Sequence, residues 1–389
     1  MNPTVMTQPV KTRSAAPKGT STTPARLRAS VWGVGVAMGL SLLAPTGPLQ
    51  AETKTAATAA TQMATTVPAL VTDQQVEWIL TQHILPGFDQ LASQSAALAQ
   101  TANQTCRHDD PALQQAFADA FDAWIRVNHL RFGPTEAENR AFALAFWPDT
   151  RGKIPDALRQ ALLADAETTA GFADPAAFAT QSVALRGFYA LEYLLYDATI
   201  RDVAEPAQTC ALIRAIATDI AATTAAIRAD WHTGYADQLR RPGDRYRSDS
   251  EVRQELFKAL NTGLQLLGDM RLGRPLGGFD KPRPKRAEAW RSARSLHHIR
   301  LTLAAMEPLA LALAAEDTAL ADQLRAAFDK ARARAAALQD PTLASVTIPA
   351  ERFRIETLLQ DVTDLREIVA TELGPRLGVN AGFNSLDGD

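Results

Sequence analysis

Tyr189 and Glu192 stand three residues apart in Gly187-Phe188-Tyr189-Ala190-Leu191-Glu192, a spacing that puts both on one face of a helix. Phe188, Leu191, Leu194 and Leu195 make that setting apolar, and a carboxylate there needs a partner. Glu192 is therefore a candidate cation ligand, an anchor for an arginine such as Arg131, or a purely structural acid. Arg131 follows an apolar stripe, Phe117–Phe121–Trp124, that continues into Asn128 and Arg131. Polar groups on such a stripe either find partners, for Arg131 a buried carboxylate, or mark where the stripe reaches solvent. His83 precedes Pro86-Gly87, with Asp89 beyond. A proline break frees carbonyls and turns side chains toward a cavity, so His83 is a metal-ligand candidate, with Asp89 beside it as a ligand or structural polar residue, or simply a satisfied polar histidine. His297 and His298 are adjacent on a helical pattern and point about 100° apart, so they do not chelate one ion side by side.

The motifs of several chemistries are missing. The chain has no His-Glu-x-x-His pair, no Gly-x-Ser-x-Gly elbow and no Gly-x4-Gly-Lys phosphate loop. Its six histidines form no recognised metal-ligand cluster.

The elements that must position these groups read as helices throughout. Alanine, the best helix former, makes up roughly a fifth of the 389 residues. Apolar residues recur at helical spacing over 72–105, with Pro86-Gly87 expected to kink or break the helix, and over 111–131, 176–197 and 208–231. Four further periodic stretches follow, beginning at Val252, Leu296, Leu320 and Ile355. Strand alternation is not found. The expectation is an all-α fold of two up-down, four-helix-bundle-like halves, 72–239 and 240–389, within one domain. Leu130-Arg131-Phe132-Gly133-Pro134 and Met270-Arg271-Leu272-Gly273-Arg274-Pro275 hint at a divergent internal duplication.

Residues 1–51 carry five cations and no acid, an apolar run Val31–Ala44, and then Pro45 and Ala51. This pattern reads as a cleaved secretory signal, with an uncleaved anchor as the alternative. The run is too short for a comfortable transmembrane helix, and none is expected in the mature chain. Residues 52–71, rich in Ala and Thr, read as a flexible leader. Without the signal, 35 basic residues face 43 acidic ones, a net charge of −8 hidden beneath the overall −3. An acidic exported body argues against nucleic-acid binding. In an up-down bundle Cys106 and Cys210 fall at the same end, so in an oxidising compartment they are expected to form a disulfide, two buried thiols being the alternative.

The order of several segments resembles the imelysin family of bacterial envelope proteins over most of 73–389. The segments are Leu85-Pro86-Gly87-Phe88, Arg131-Phe132-Gly133-Pro134, Phe146-Trp147-Pro148-Asp149, Gly187 through Leu195, Arg286-Ala287-Glu288-Ala289-Trp290-Arg291-Ser292, and Gly382 through Asp389. The resemblance implies an all-helical, two-halved protein of the periplasm or cell envelope, associated with iron uptake or regulation, in a family that also carries a metallopeptidase label. The family's proposed metal motif is Gly-x-His-x-x-Glu. Gly187 and Glu192 match it, while Tyr189 replaces the histidine; aligning the two halves places His297 opposite Tyr189. The implied function is a binding or accessory component in acquisition of iron or another metal, as ion or chelate, working with an envelope or membrane transport partner. Its cleft would lie between the bundles near Glu192, Tyr189, Arg131 and His83. A metallopeptidase or a non-catalytic envelope adaptor are the alternatives, and the Tyr189 replacement weighs against an enzyme.

Overall fold

The computed structural model describes residues 72–379 apart from Pro242. Residues 1–51 and 52–71, expected to be a secretory signal and a leader, and the final motif Gly382–Asp389 lie outside the described residues.

Caps and prolines set where the long helices begin. Helix α1 (Thr72–Ile79) runs through a π turn, Leu80–Ile84, into α2 (Leu85–Gln104). The break expected at Pro86-Gly87 is thus not a break. Pro86 sits in the first turn of α2, where its missing N–H is tolerated, and the π turn just before it absorbs the irregularity. Asp110 accepts from Ala112 N and Pro111 opens α3 (Pro111–Val127). The helix expected over 176–197 is shorter: a short helix Pro175–Ala179 and a 3-10 turn precede α4 (Gly187–Tyr196). Gly187 explains the boundary. Its φ is +77°, and a Cβ there would lie 2.3 Å from the Ala143 and Leu144 carbonyl oxygens, so only glycine lets these backbones pass. Arg186, just before it, forks onto Asp219 at 2.9 and 2.7 Å and ties the start of α4 to α5 (Pro206–Asp230). Glu205 and Gln208 form a capping box at the head of α5.

The second half repeats this grammar with α6 (Asp249–Gln265), α7 (Ser295–Leu313), α8 (Thr318–Ala337) and α9 (Pro349–Ile368). Ser248 and Asp317 cap α6 and α8. The described residues contain no strand, only one isolated bridge, Gly278 with Lys281, so the fold is all-α.

Helices α2, α3, α4 and α5 pack together, as do α6, α7, α8 and α9, and α3 lies against α7. One apolar core extends from Val76 to Leu377. Helix α5 and its continuation to Arg240 are long and apolar enough to cross a membrane by length and composition. Here that helix packs against α2 and α4, and Leu212, Ile216, Ile220 and Ile227 are buried. Cys106, beyond α2, is bonded to Cys210 in α5.

Candidate functional site

Between α6 and α7 the chain makes two unusual backbone choices. Ala289 and Ala293 have φ of +49° and +55°, a left-handed conformation uncommon for residues with a Cβ. Such strain persists only where the surroundings enforce it. Here it folds residues 286–294 back on themselves, closed by Arg294 N donating to Ala289 O at 3.0 Å. The loop thereby aims Glu288 into the core and Ser292 toward α4.

Glu288 is the centre of a buried network. Arg271 donates Nε to Oε2 at 2.6 Å and Nη2 to Oε1 at 3.1 Å. Tyr189 Oη donates to Oε1 at 2.5 Å, and His298 Nδ1 approaches Oε2 at 3.1 Å. Arg271 also donates Nη1 to Thr302 Oγ1 at 2.7 Å. The Arg271 and Glu288 side chains are 1% and 2% exposed. Burial alone would raise the Glu288 carboxyl, but Arg271 and His298 outweigh it and hold the acid well below the usual carboxylate range. The Tyr189 hydroxyl is pushed the other way, by burial and by the negative charge of Glu288. Tyr189 is therefore a neutral phenol committed to Glu288, and the tyrosinate that would suit ferric iron is disfavoured.

Glu192, one turn along α4, is satisfied separately. Its Oε1 accepts from Ser292 N at 2.9 Å and Ser292 Oγ at 2.7 Å. Burial raises its carboxyl, with the Ser292 bonds opposing. Next to it Arg291 donates to Asp197 at 2.7 Å and lies 3.6 Å over the Tyr193 ring.

Asp122 of α3 closes the site from the other side. It accepts from Arg294 and His297, the latter at 2.8 Å. Burial would raise Asp122, yet His297 and Arg294 together hold it below its ordinary value. The half-exposed His297 is thus at the rim, and His298 is the inward residue, fully buried between Glu288 and Asp122. Burial lowers the His298 pKa. A neutral ring donating Nδ1–H to Glu288 leaves Nε2 as its unprotonated nitrogen, and that atom has no hydrogen-bond partner.

The structure brings together Tyr189 and Glu192, as their spacing implies, but not the rest of the expected cleft. Arg131 pairs with Glu136 near the surface rather than with Glu192, because it lies beyond the end of α3 and its side chain, unlike that of the buried Leu130, reaches toward solvent there. Asn128 is the buried C-cap of α3. Asp89 is engaged by Arg228 at 2.6 Å and His232 at 2.9 Å. His83 meets His129, Nε2 to Nε2, at 3.0 Å. Burial takes His83 down to about 4 and His129 well below its ordinary value, so one facing nitrogen donates and the other accepts. Arg271, Glu288 and His298 carry no helical-stripe signal. Glu288 lies outside any periodic stretch, and one-sequence periodicity does not say which of two adjacent histidines faces inward. The available signal was the apparent repeat: Arg271 takes the buried carboxylate that the aligned Arg131 lacks.

A resident metal centre does not fit these groups. Among the described residues no three His, Cys, Asp or Glu side chains converge as ligands. Both oxygens of Glu288 are occupied, and the Arg271 guanidinium stands where a cation would. Beside the network, a pocket of about 110 Å³ is lined by Trp147, Tyr189, Glu192, Arg274, Lys285 and Trp290, among others.

A family model described as Imelysin matches residues 84–369. Two solved structures share the fold. An imelysin-like protein from Psychrobacter arcticum 273-4 superposes with a TM-score of 0.65 at 20% identity, covering 82% of this chain and 98% of its own. A protein from Parabacteroides distasonis ATCC 8503, provisionally named an iron-regulated protein A precursor, gives 0.61 at 12% identity, covering 77% and 94%. No curated protein matches the chain.

Proposed function

We propose that this chain, which belongs to the imelysin family, is an exported binding or accessory protein of the bacterial envelope. It serves acquisition of iron or another metal and does not cleave peptides. The observation that carries this reading is the Arg271–Glu288–Tyr189 network. Glu288, the buried acid that Tyr189 of the motif contacts, is held ionised and is neutralised by a guanidinium. A metallopeptidase needs about three ligands and a general base; these residues supply a buried ion pair instead. The name of the Parabacteroides neighbour, an iron-regulated protein, supports the iron connection. The cargo is accordingly a metal carried as a chelate rather than a bare ion, met at the pocket above Tyr189 and Glu192, and passed to an envelope or membrane transport partner.

Calorimetry on metal-free protein with ferric, ferrous, zinc and copper ions, each free and as its citrate complex, tests this. Binding of at least one chelate is expected, with weak or no binding of the free ions. Absence of binding to all of them refutes the metal reading. Chelator-sensitive peptide cleavage that disappears in Glu192→Ala would establish the peptidase instead.

A further inference from the structure

The pocket beside the network carries more positive charge than its walls use. Neither of its two acids forms an ion pair with a pocket cation among the described residues. Asp149 accepts from the backbone N–H groups of Arg151, Lys153 and Ile154, and Glu192 accepts from Ser292. Arg291 is matched by Asp197. Three cations remain. Arg274, Lys285 and Arg286 all line the pocket, and no carboxylate pairs with any of them among the described residues. The Arg274 guanidinium lies 5.8 Å over Trp147, and its buried Nε has no hydrogen-bond partner. The Lys285 ammonium lies 5.6 Å over Trp290. Burial and the nearby Arg286 charge both lower the Arg274 pKa, the mark of like charges gathered without a counter-ion. Unpaired cations over aromatic walls in a recess are the groups that recognise an oxyanion. At about 110 Å³ the space is well below the ~300 Å³ at which whole-ligand pockets begin, so it holds a head group.

We propose that Arg274, Lys285 and Arg286 form an oxyanion-binding site that takes the carboxylate or phosphate group of a small ligand, with Trp147 and Trp290 as its walls. The proposal shares its pocket with the reading above but does not require a metal.

Calorimetry of metal-free protein with inorganic phosphate and with citrate tests it, using wild type, Arg286→Glu and the double variant Lys285→Glu, Arg286→Glu. Lys285 and Arg286 are both exposed and neither is paired with a carboxylate among the described residues, so these variants are expected to keep wild-type melting. The expected result is binding of at least one anion, weakened about tenfold or more in each variant and weakened in wild type by added salt. The anion that binds more tightly names the head group. Failure of both anions to bind wild type overturns the proposal, as does equal binding by the variants. Ferric citrate bound equally by wild type and variants overturns the oxyanion site while leaving the metal reading standing. Citrate bound equally with and without iron, and lost in the variants, does the reverse.

Discussion

Replacing Glu288 by Gln tests whether the buried network is a matched ion pair. The substitution keeps the shape and one acceptor but strands the Arg271 guanidinium, 1% exposed, with no opposing charge. Breaking a buried pair from one side costs about 3–5 kcal/mol. Coulomb's law gives the same scale, about 4 kcal/mol for unit charges 4 Å apart at an effective dielectric constant of 20. At roughly 2 °C per kcal/mol for a body of this size, the melting temperature should fall by about 8 °C. Urea denaturation of wild type, Glu288→Gln, Arg271→Met and the double variant measures it. The double variant should be more stable than the sum of the single losses implies, with a coupling of at least about 2 kcal/mol. The pH profile supplies a second reading. Glu288 has a folded pKa below its unfolded value of 4.5, so its stabilisation is present above that pH and is lost only as pH falls below it. The Gln variant should lack that acid limb. A loss below about 1 kcal/mol, or strict additivity in the cycle, would refute the ion-pair reasoning.

Four further outcomes follow from the same structure. His83 is lowered from 6.5 to about 4, so it remains neutral when folded while the unfolded chain binds its proton; it alone should contribute a loss of roughly 2 kcal/mol between pH 7 and 5, in addition to losses of the same sign from His129 and His298. His83→Asn should remove its share of that slope in denaturant titrations across pH. Glu192 is shifted upward by burial, so its ionised form is a burden above pH 4.5; Glu192→Gln should be neutral or stabilising at pH 8 by thermal melt, and a clear loss there would contradict the assignment. Reduction of Cys106–Cys210, which spans 104 residues, should lower stability by up to about 4.7 kcal/mol, with alkylation counted by mass spectrometry. Gly187→Ala should cost at least about 2 kcal/mol, since it combines left-handed strain with a Cβ placed on two carbonyl oxygens.

Much of the fold was legible because periodicity, caps and prolines are local. Asp110-Pro111, Glu205-Pro206 and Ser248 start helices for reasons contained in a few residues. The boundary at Gly187 was less legible. The apolar pattern continues upstream of it, and the contact that forbids a side chain comes from Ala143 and Leu144, more than forty residues earlier. The site divides the same way. Tyr189 and Glu192 share a helical face because the spacing demands it. Their partners, Glu288 and Ser292, sit about one hundred residues away in a loop whose left-handed alanines follow no rule of propensity.

The sequence by itself determined an all-α chain, the pairing of two helical residues on α4, and the end of the bundle at which the cysteines meet, since each rests on spacing along one chain. Tertiary structure alone decided that Arg271 rather than Arg131 is buried, that His298 rather than His297 faces inward, and that Tyr189 donates a hydrogen bond to Glu288 instead of offering an oxygen to a metal. Those choices depend on which buried charge finds its counter-charge across the fold, and that is settled by desolvation and packing between distant segments rather than by local pattern.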